Sequence, residues 1–529
     1  MVKAATASTL AAALTGSECY PHAARNVELI ETHISWVFLA GPYAYKVKKP
    51  VNLGFVDFST LAARKHYCEE EIRLNRRFVA DLYLDVVEIR GSAHAPRIAG
   101  KGAVLDYAVR MQRFPQEALA DRLLARGELT PQLVKEFAAY LAQFHQSLPV
   151  FHPPELHGTP KAVLQNAMQN FEQIASLLTE SSDREALDAL RSWSEREFRS
   201  KNSEMQARYS AGMIRECHGD LHLGNILALK GKLVPFDCID FNAALRWNDV
   251  MSEVAFLVMD LMDRGAPRLA SLFLSAYLEA TGVYSGLSVL RWYLVYRALV
   301  RAKVLLIRAR QPATTAAEAS RLEHAYQGYL SLAEGCSHTG QPRLLLMHGF
   351  SGSGKSTVAQ ELVQAYGAIC VRADIERKRL HGLPALVRSG SAVGGGFYGQ
   401  ESTDATYTCL ADAACTIVQA GYTAVVDAAF LRRAQRTQLR EVAAALNIPV
   451  ALIDIEVPDE VLRTRIESRT AHAIDPSEAT VEVLGHQIAT AEAVTSDEGL
   501  PIITVNGREG LTLATIMDLS RVRAAAAAD

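Results

Sequence analysis

The sequence predicts two domains in series, an α+β domain followed by an α/β domain built on a parallel sheet. Three observations carry this. The chain has 529 residues, too many for a single hydrophobic core. Its first β-rich segments, Thr32 to Leu39 and Tyr43 to Val51, precede a long helical mass that runs from Thr130 to about Leu332. After Arg343, short apolar runs alternate with helical stretches, the rhythm of parallel strands covered on both faces.

In order along the chain, an Ala/Leu-rich start superficially resembles a signal peptide, but Thr and Ser interrupt it, so an ordinary N-terminal helix is expected. The two β-branched, aromatic segments flank Gly41-Pro42 and form a predicted hairpin. A helix is expected from about Ser59 to Val79, and a second short β region from Ile226 to Ile239 turns at Gly231. Gln311-Pro312 and the stretch Ser337 to Pro342 are turn-forming and poorly apolar, which gives domains at 1–335 and 343–529 with 336–342 as linker. Beyond it, Leu344–Met347, Ala368–Val371, Ala424–Val426 and Val450–Ile453 are the expected strands.

Composition narrows the function. Hydrophobic residues make up 49% and charged residues 21%, and 55 basic against 58 acidic residues leave a net charge of -3, so no general positive field exists to hold a polyanion. Eight cysteines without a C-x-x-C pair exclude a zinc ribbon or redox dithiol and read as reduced, mostly buried and cytoplasmic. The most apolar stretch, Val289 to Ile307, carries Arg291, Arg297, Arg301 and Lys303, so no membrane span is expected.

His218-Gly-Asp220-Leu-His-Leu-Gly-Asn225 has H-x-D-x-x-x-x-N spacing. At that spacing a loop presents a carboxylate to orient and deprotonate a hydroxyl, with a magnesium-ligating Asn five residues on. The run Leu233 to Phe236 then delivers Asp237, and Asp240 follows three residues later; spacing does not choose between them as metal ligand. Lys46 on the second hairpin strand is the preferred phosphate-binding cation, although Lys48 shares its face by the period of two. On the next helix, Glu71 flanks the stripe of Leu61, Cys68, Ile72 and Val79 and is the expected partner of the lysine. The catalytic-loop motif resembles that of aminoglycoside phosphotransferases, choline kinases and related small-molecule kinases, over roughly residues 20 to 310. The resemblance implies a protein-kinase-like two-lobed fold with a hinge at Tyr107 to Arg113. It departs in lacking G-x-G-x-x-G over the phosphates, having only Thr32 to Ser35 and Gly41 there.

Gly349-Phe-Ser-Gly352-Ser-Gly354-Lys355-Ser356 matches G-x-x-x-x-G-K-S between an apolar run and a helix starting at Thr357. Its glycines let backbone N–H groups cradle phosphate, Lys355 reaches the β and γ phosphates, and Ser356 ligates magnesium. Downstream, Asp374 and Arg377 stand at D-x-x-R spacing at a predicted sheet edge, Asp427 ends a Walker-B-like strand, and Arg465 and Arg469 share a helix face as lid cations. This half resembles the small P-loop kinases: gluconate kinases, polynucleotide 5'-kinases and zeta toxins. The whole order resembles bacterial fusions of the two kinase types.

The expectation is a bifunctional phosphotransferase using ATP and Mg2+, with Asp220 and Asp374 as catalytic carboxylates and hydroxyl-bearing small molecules as acceptors. Two alternatives stay open: a single kinase with a regulatory P-loop module, and a C-terminal polynucleotide kinase. The second requires a basic groove around Arg377, Lys378 and Arg379 and admits nucleic acid for that domain only.

Overall fold

The computed structural model describes residues 2–32, 34–52, 56–150, 157–178, 181–311, 314–387, 399–472, 476–512, 515 and 519, with no side-chain description for 2–6 and 469–472. His33, between Thr32 and Ser35, and all of the Gly-rich stretch 389–399 except Gly399 lie outside the described residues, as does the Arg469 side chain. The chain divides into two compact units, residues 1–137, 148–169 and 205–260, and residues 138–147, 170–204 and 261–529. The expected linker, 336–342, lies inside the second unit.

In the first unit a six-stranded antiparallel sheet has the order Glu28–Glu31, Ser35–Ala40, Tyr43–Lys48, Val104–Gln112, Tyr83–Ser92, Ala95–Ile98. The predicted hairpin turns at Gly41-Pro42, with Ala40 opposite Tyr43 and Lys46 opposite Val37. The other four strands were not anticipated. Their residues mix charges with apolar positions, and Tyr107 to Gln112, expected as part of a hinge, pair inside the central strand Val104–Gln112. The sheet's core gathers Trp36, Phe38, Tyr45, Val47 and Ala108 with Leu10 and Leu14 from the N-terminal region.

The helix Leu61–Val79 starts where the Thr60 hydroxyl accepts from the Ala63 N–H at 3.1 Å, a cap worth about 1 kcal/mol. It buries Cys68, Glu71, Ile72, Asn75 and Phe78, so Glu71 lies within the buried face, where the stripe placed it only on the flank. The second β region is the hairpin Ile226–Leu229 with Lys232–Pro235 around Gly231.

In the second unit five parallel strands have the order Ile369–Arg372, Ala424–Asp427, Leu344–His348, Val450–Glu456, Ile502–Asn506. The first four are the expected runs. The fifth, Ile502–Asn506, was not among the expected runs; it is an edge strand, exposed at three of its five positions. Its opposite edge is covered by the helix Pro267–Thr281, where the Ser275 hydroxyl accepts from the Cys370 N–H at 3.0 Å. Among the described residues, no helix is long and apolar enough to cross a membrane, and six of the eight cysteines are buried with no disulfide.

Candidate active sites

In the first unit a buried charge network joins segments nearly 200 residues apart. Lys46 and Lys48 alternate with Val47 on one strand, so both ammonium groups reach the same face. Glu71 divides its carboxylate between them, Oε1 to Lys46 Nζ and Oε2 to Lys48 Nζ, each at 2.8 Å. Lys46 also meets Asp237 at 2.5 Å, and Lys48 meets Asp240. Lys48 is 1% exposed and lies 5.0 Å from the Phe58 ring centre. The Asp237 side chain, at 44% exposure, is the accessible carboxylate of the three.

Burial opposes the charge on Glu71, yet the two ammonium groups hold its carboxyl down at about 2. Burial likewise opposes the charge of Lys46, but Asp237 and Glu71 push it well above the ordinary lysine range. Asp240 moves the other way: burial raises it, with Glu71 adding to the rise and Lys48 resisting. The directions agree once charges are counted. Three carboxylates face two ammonium groups, and the buried carboxylate with a single ammonium partner, Asp240, is the one that holds its charge least firmly.

The 218–225 loop is held by buried carboxylates. Gly219 adopts φ +88°, and a Cβ there would sit 2.9 Å from the Leu245 carbonyl oxygen. Its N–H donates to Glu253 Oε2 at 3.0 Å, and the Leu223 N–H donates to Asp260 Oδ2 at 2.9 Å. Burial pushes the His218 imidazole below its usual range. Neutral, it bonds the Phe236 carbonyl through Nε2 at 2.8 Å and accepts from the Asp220 N–H through Nδ1 at 3.3 Å. Asn225 donates Nδ2 to the Asp220 carboxylate at 3.1 Å and to its carbonyl at 3.0 Å. The Asn225 carbonyl accepts from the Phe236 N–H at 3.0 Å, which brings the Asp237 segment beside the loop. Asp237 itself has φ +61°, an uncommon conformation for a non-glycine residue, and its N–H donates to the Tyr83 hydroxyl at 3.0 Å. The structure therefore brings Lys46, Glu71 and Asp237 together and, beside them, Asp220 with Asn225. Oxygen donors from Asp237 and Asn225 suit a hard divalent cation, whose charge would offset the surplus carboxylate. Glu253, Asp260 and Tyr83, absent from the sequence reading, act by nonlocal hydrogen bonds that no spacing encodes.

In the second unit the loop after Leu344–His348 turns through glycines at φ +135° (Gly349), +86° (Gly352) and +101° (Gly354). The helix Lys355–Tyr366 begins there, with Thr357 exposed on its first turn. Lys355 donates to the carbonyls of Gly349 at 2.9 Å and Phe350 at 2.8 Å, folded over its own loop. Ser356 donates to Asp427 Oδ2 at 2.6 Å, so hydroxyl and strand-end carboxylate are already adjacent. Arg372, directly across the sheet from Asp427, approaches it at 3.4 Å. Arg465 donates to the carbonyls of Ser353 at 3.0 Å and Gly507 at 2.9 Å, so in this state it braces the loop.

Asp374 and Arg377 lie 3.5 Å apart on the helix Ala373–Leu380. Burial raises the Tyr407 hydroxyl to about 12, with Arg377, Asp374 and Arg432 all within electrostatic reach of it. The three consecutive cations do not form an exposed cluster. Lys378 is 1% exposed and donates to the Pro476 carbonyl at 2.8 Å, and Arg379 pairs with Glu376.

Comparison with known proteins gives two family matches: phosphotransferase enzyme family over residues 58–293 and AAA domain over residues 344–494. An uncharacterised protein of Mycobacterium tuberculosis is 27% identical over 477 residues, 88% of this chain and 92% of the relative. A gluconokinase of Gluconobacter oxydans is 32% identical over 173 residues, 32% of this chain and 85% of the relative. A solved amicoumacin kinase in complex with AMP-PNP and Ca2+ aligns at TM-score 0.38 with 13% identity, covering 60% of this chain and 91% of that one.

Proposed function

The chain belongs to the phosphotransferase enzyme family over residues 58–293 and continues into a P-loop kinase domain over 344–494, and from that premise we propose that both domains are active. Each transfers the γ-phosphoryl group of ATP to a hydroxyl of a small-molecule acceptor. The observation that supports this reading is that each domain carries its own lysine, a pair of oxygen-donor side chains that includes one carboxylate, and a further carboxylate: Lys46, Asp237 with Asn225, and Asp220 in the first, Lys355, Asp427 with Ser356, and Asp374 in the second.

In the first domain Asp220 orients the acceptor hydroxyl and takes its proton, with Asn225 fixing the carboxylate. Lys46 is the phosphate-binding lysine. It contacts the accessible Asp237, whereas Lys48 is committed to Glu71, Asp240 and the Phe58 ring. Asp237 and Asn225 would hold Mg2+. Asp240 serves as the counter-charge of Lys48. When bound, the cation neutralises charge on the β- and γ-phosphate oxygens.

In the second domain Lys355 binds phosphate, Ser356 and Asp427 would hold Mg2+, and Asp374 faces the acceptor hydroxyl. Arg377 beside Asp374, with Arg432 within electrostatic reach of the same Tyr407 hydroxyl, favours an acceptor that carries an anionic group, and the gluconokinase relative points to a sugar acid. Burial of Lys378 and pairing of Arg379 count against a basic groove for an oligonucleotide.

The test is ADP release over a panel of aminoglycosides, sugars, polyols, sugar acids and oligonucleotides, run on the intact chain, Asp220→Asn and Asp374→Ala. Each variant should lose a different acceptor. If Asp374→Ala loses none while ATP still binds, the second domain is a nucleotide-binding regulator instead.

A further inference from the structure

The helix Ala373–Leu380 has two functional faces. Asp374 and Arg377 are three residues apart and share one side, and Glu376 and Arg379 share the side roughly 200° around the axis. That second side is clamped by residues far upstream. The Tyr284 hydroxyl donates to Glu376 Oε1 at 3.0 Å, and Glu376 is 3% exposed. Arg379 pairs with the other Glu376 oxygen and donates to the carbonyl of Glu279, in the last turn of the helix Pro267–Thr281. This supplies a cation to a helix C-terminus and a donor to one of its unmatched carbonyls. Gly282, which ends that helix at φ +71°, leaves room for the guanidinium. A Cβ there would lie 2.7 Å from Arg379 Nε. The Cys409 thiol faces the same carboxylate at 3.8 Å.

We propose that Tyr284, acting through Glu376, is a positioning residue for the second active site, setting the rotation of the helix that carries Asp374 and Arg377. This rests on the reading of the second domain as a phosphotransferase. A buried carboxylate held by the Tyr284 hydroxyl, beside an arginine of the same helix that is tied to the end of another helix, gives the helix one rotational setting, and the opposite face inherits it. The working P-loop unit thus includes residues from about 267 onward, well before the stretch that matches the P-loop family.

The experiment uses the full chain with Mg-ATP and reads the ADP release that Lys355→Ala removes, with D-gluconate or with water alone as acceptor. Tyr284→Phe keeps the ring and deletes only the donor. It should lower kcat by about tenfold or more, because misplaced reacting groups are costly, with KM for Mg-ATP within about twofold. Glu376→Gln still accepts from Tyr284 but releases Arg379, and should give a smaller loss in kcat with the same unchanged KM. Hydrogen–deuterium exchange should quicken across 373–380 in both variants and stay unchanged across 349–356. Absence of gluconate-dependent ADP in the intact chain overturns the sugar-acid reading alone. Absence of all Lys355-dependent ADP overturns the phosphotransferase reading and the positioning role with it. Unchanged kcat in both variants, unchanged exchange at 373–380, or equal losses in kcat and Mg-ATP affinity overturns the positioning role itself.

Discussion

The two candidate sites meet one chemical demand, holding a triphosphate beside a hydroxyl, with opposite materials. The first is built from side chains: Lys46, Glu71, Asp220 and Asp237 come from a strand, a helix and two loop segments, and ion pairs tie Lys46 to Glu71 and Asp237. The second is built from backbone: eight consecutive residues, 349–356, supply the cradle, and one lysine supplies the charge. The difference teaches where stability and function are coupled. In the side-chain site the lysine network is also a folding problem, since removing one of its buried charges strands a partner in the interior. In the backbone site the loop's shape rests on glycines at positive φ, and its lysine donates to the loop's own carbonyls.

The largest expected effect separates chemistry from stability within the first site. Asp220→Asn should cut turnover of its acceptor by about 10² to 10⁴, the usual cost of losing a general base, with the unfolding transition unmoved. The Asp220 carboxylate is part-exposed and outside the lysine network, so a shifted transition would break the distinction. Next comes Glu71→Gln, which removes the buried carboxylate that bridges the two ammonium groups and leaves Lys46 to Asp237 and Lys48 to Asp240. It should destabilise the first unit by about 3–5 kcal/mol in urea unfolding and weaken ATP binding there. Stability within about 0.5 kcal/mol of wild type, the range of an ordinary surface substitution, would show that the network is not a folding constraint.

In the second site the comparable probe is Gly352→Ala. The residue sits at φ +86°, and a Cβ would meet the Leu462 carbonyl oxygen at 2.8 Å. The strain should cost about 1–3 kcal/mol and distort the phosphate cradle, read as parallel losses in unfolding midpoint and ATP affinity. Lys355→Ala should remove ATP binding with no such loss of midpoint, and a matching loss would erase the contrast between the two sites.

The smallest effect is a pH dependence of the first unit. Burial holds His218 below its ordinary 6.5, so the unfolded chain binds that proton more readily. Its contribution is full above about pH 6.5 and falls as pH drops below it, by at most about 1.4 kcal/mol per pH unit. Glu216 has the same sign in a lower window. Burial opposes its charge, but Arg73, Arg77 and Arg246 hold it at about 2, so its contribution is lost only below about pH 4.5. Thermal melts from pH 8 to 5.5 should show the first slope, and His218→Gln should flatten it.

What could be read from sequence follows the same division. The P-loop, the 218–225 loop and four of the five parallel strands are contiguous patterns, in which local backbone chemistry dictates local conformation. The hairpin carrying Lys46 was equally legible, because Gly41-Pro42 between β-branched runs has few other ways to fold. The choices that spacing left open were between near neighbours on one face, Lys46 against Lys48 and Asp237 against Asp240. Only contacts across nearly 200 residues distinguish them, through the pairing of Lys48 with Asp240 and the exposure of Asp237. The strands at 83–92 and 104–112 were missed because their polar residues are satisfied by partners elsewhere, as Arg110 is by Asp85 at 2.6 Å. Arg377, Lys378 and Arg379 look alike in sequence. Tertiary structure separates them into a cation beside Asp374, a buried tie and half of a clamp, because burial is set by what packs against a helix face and no residue encodes its neighbours alone.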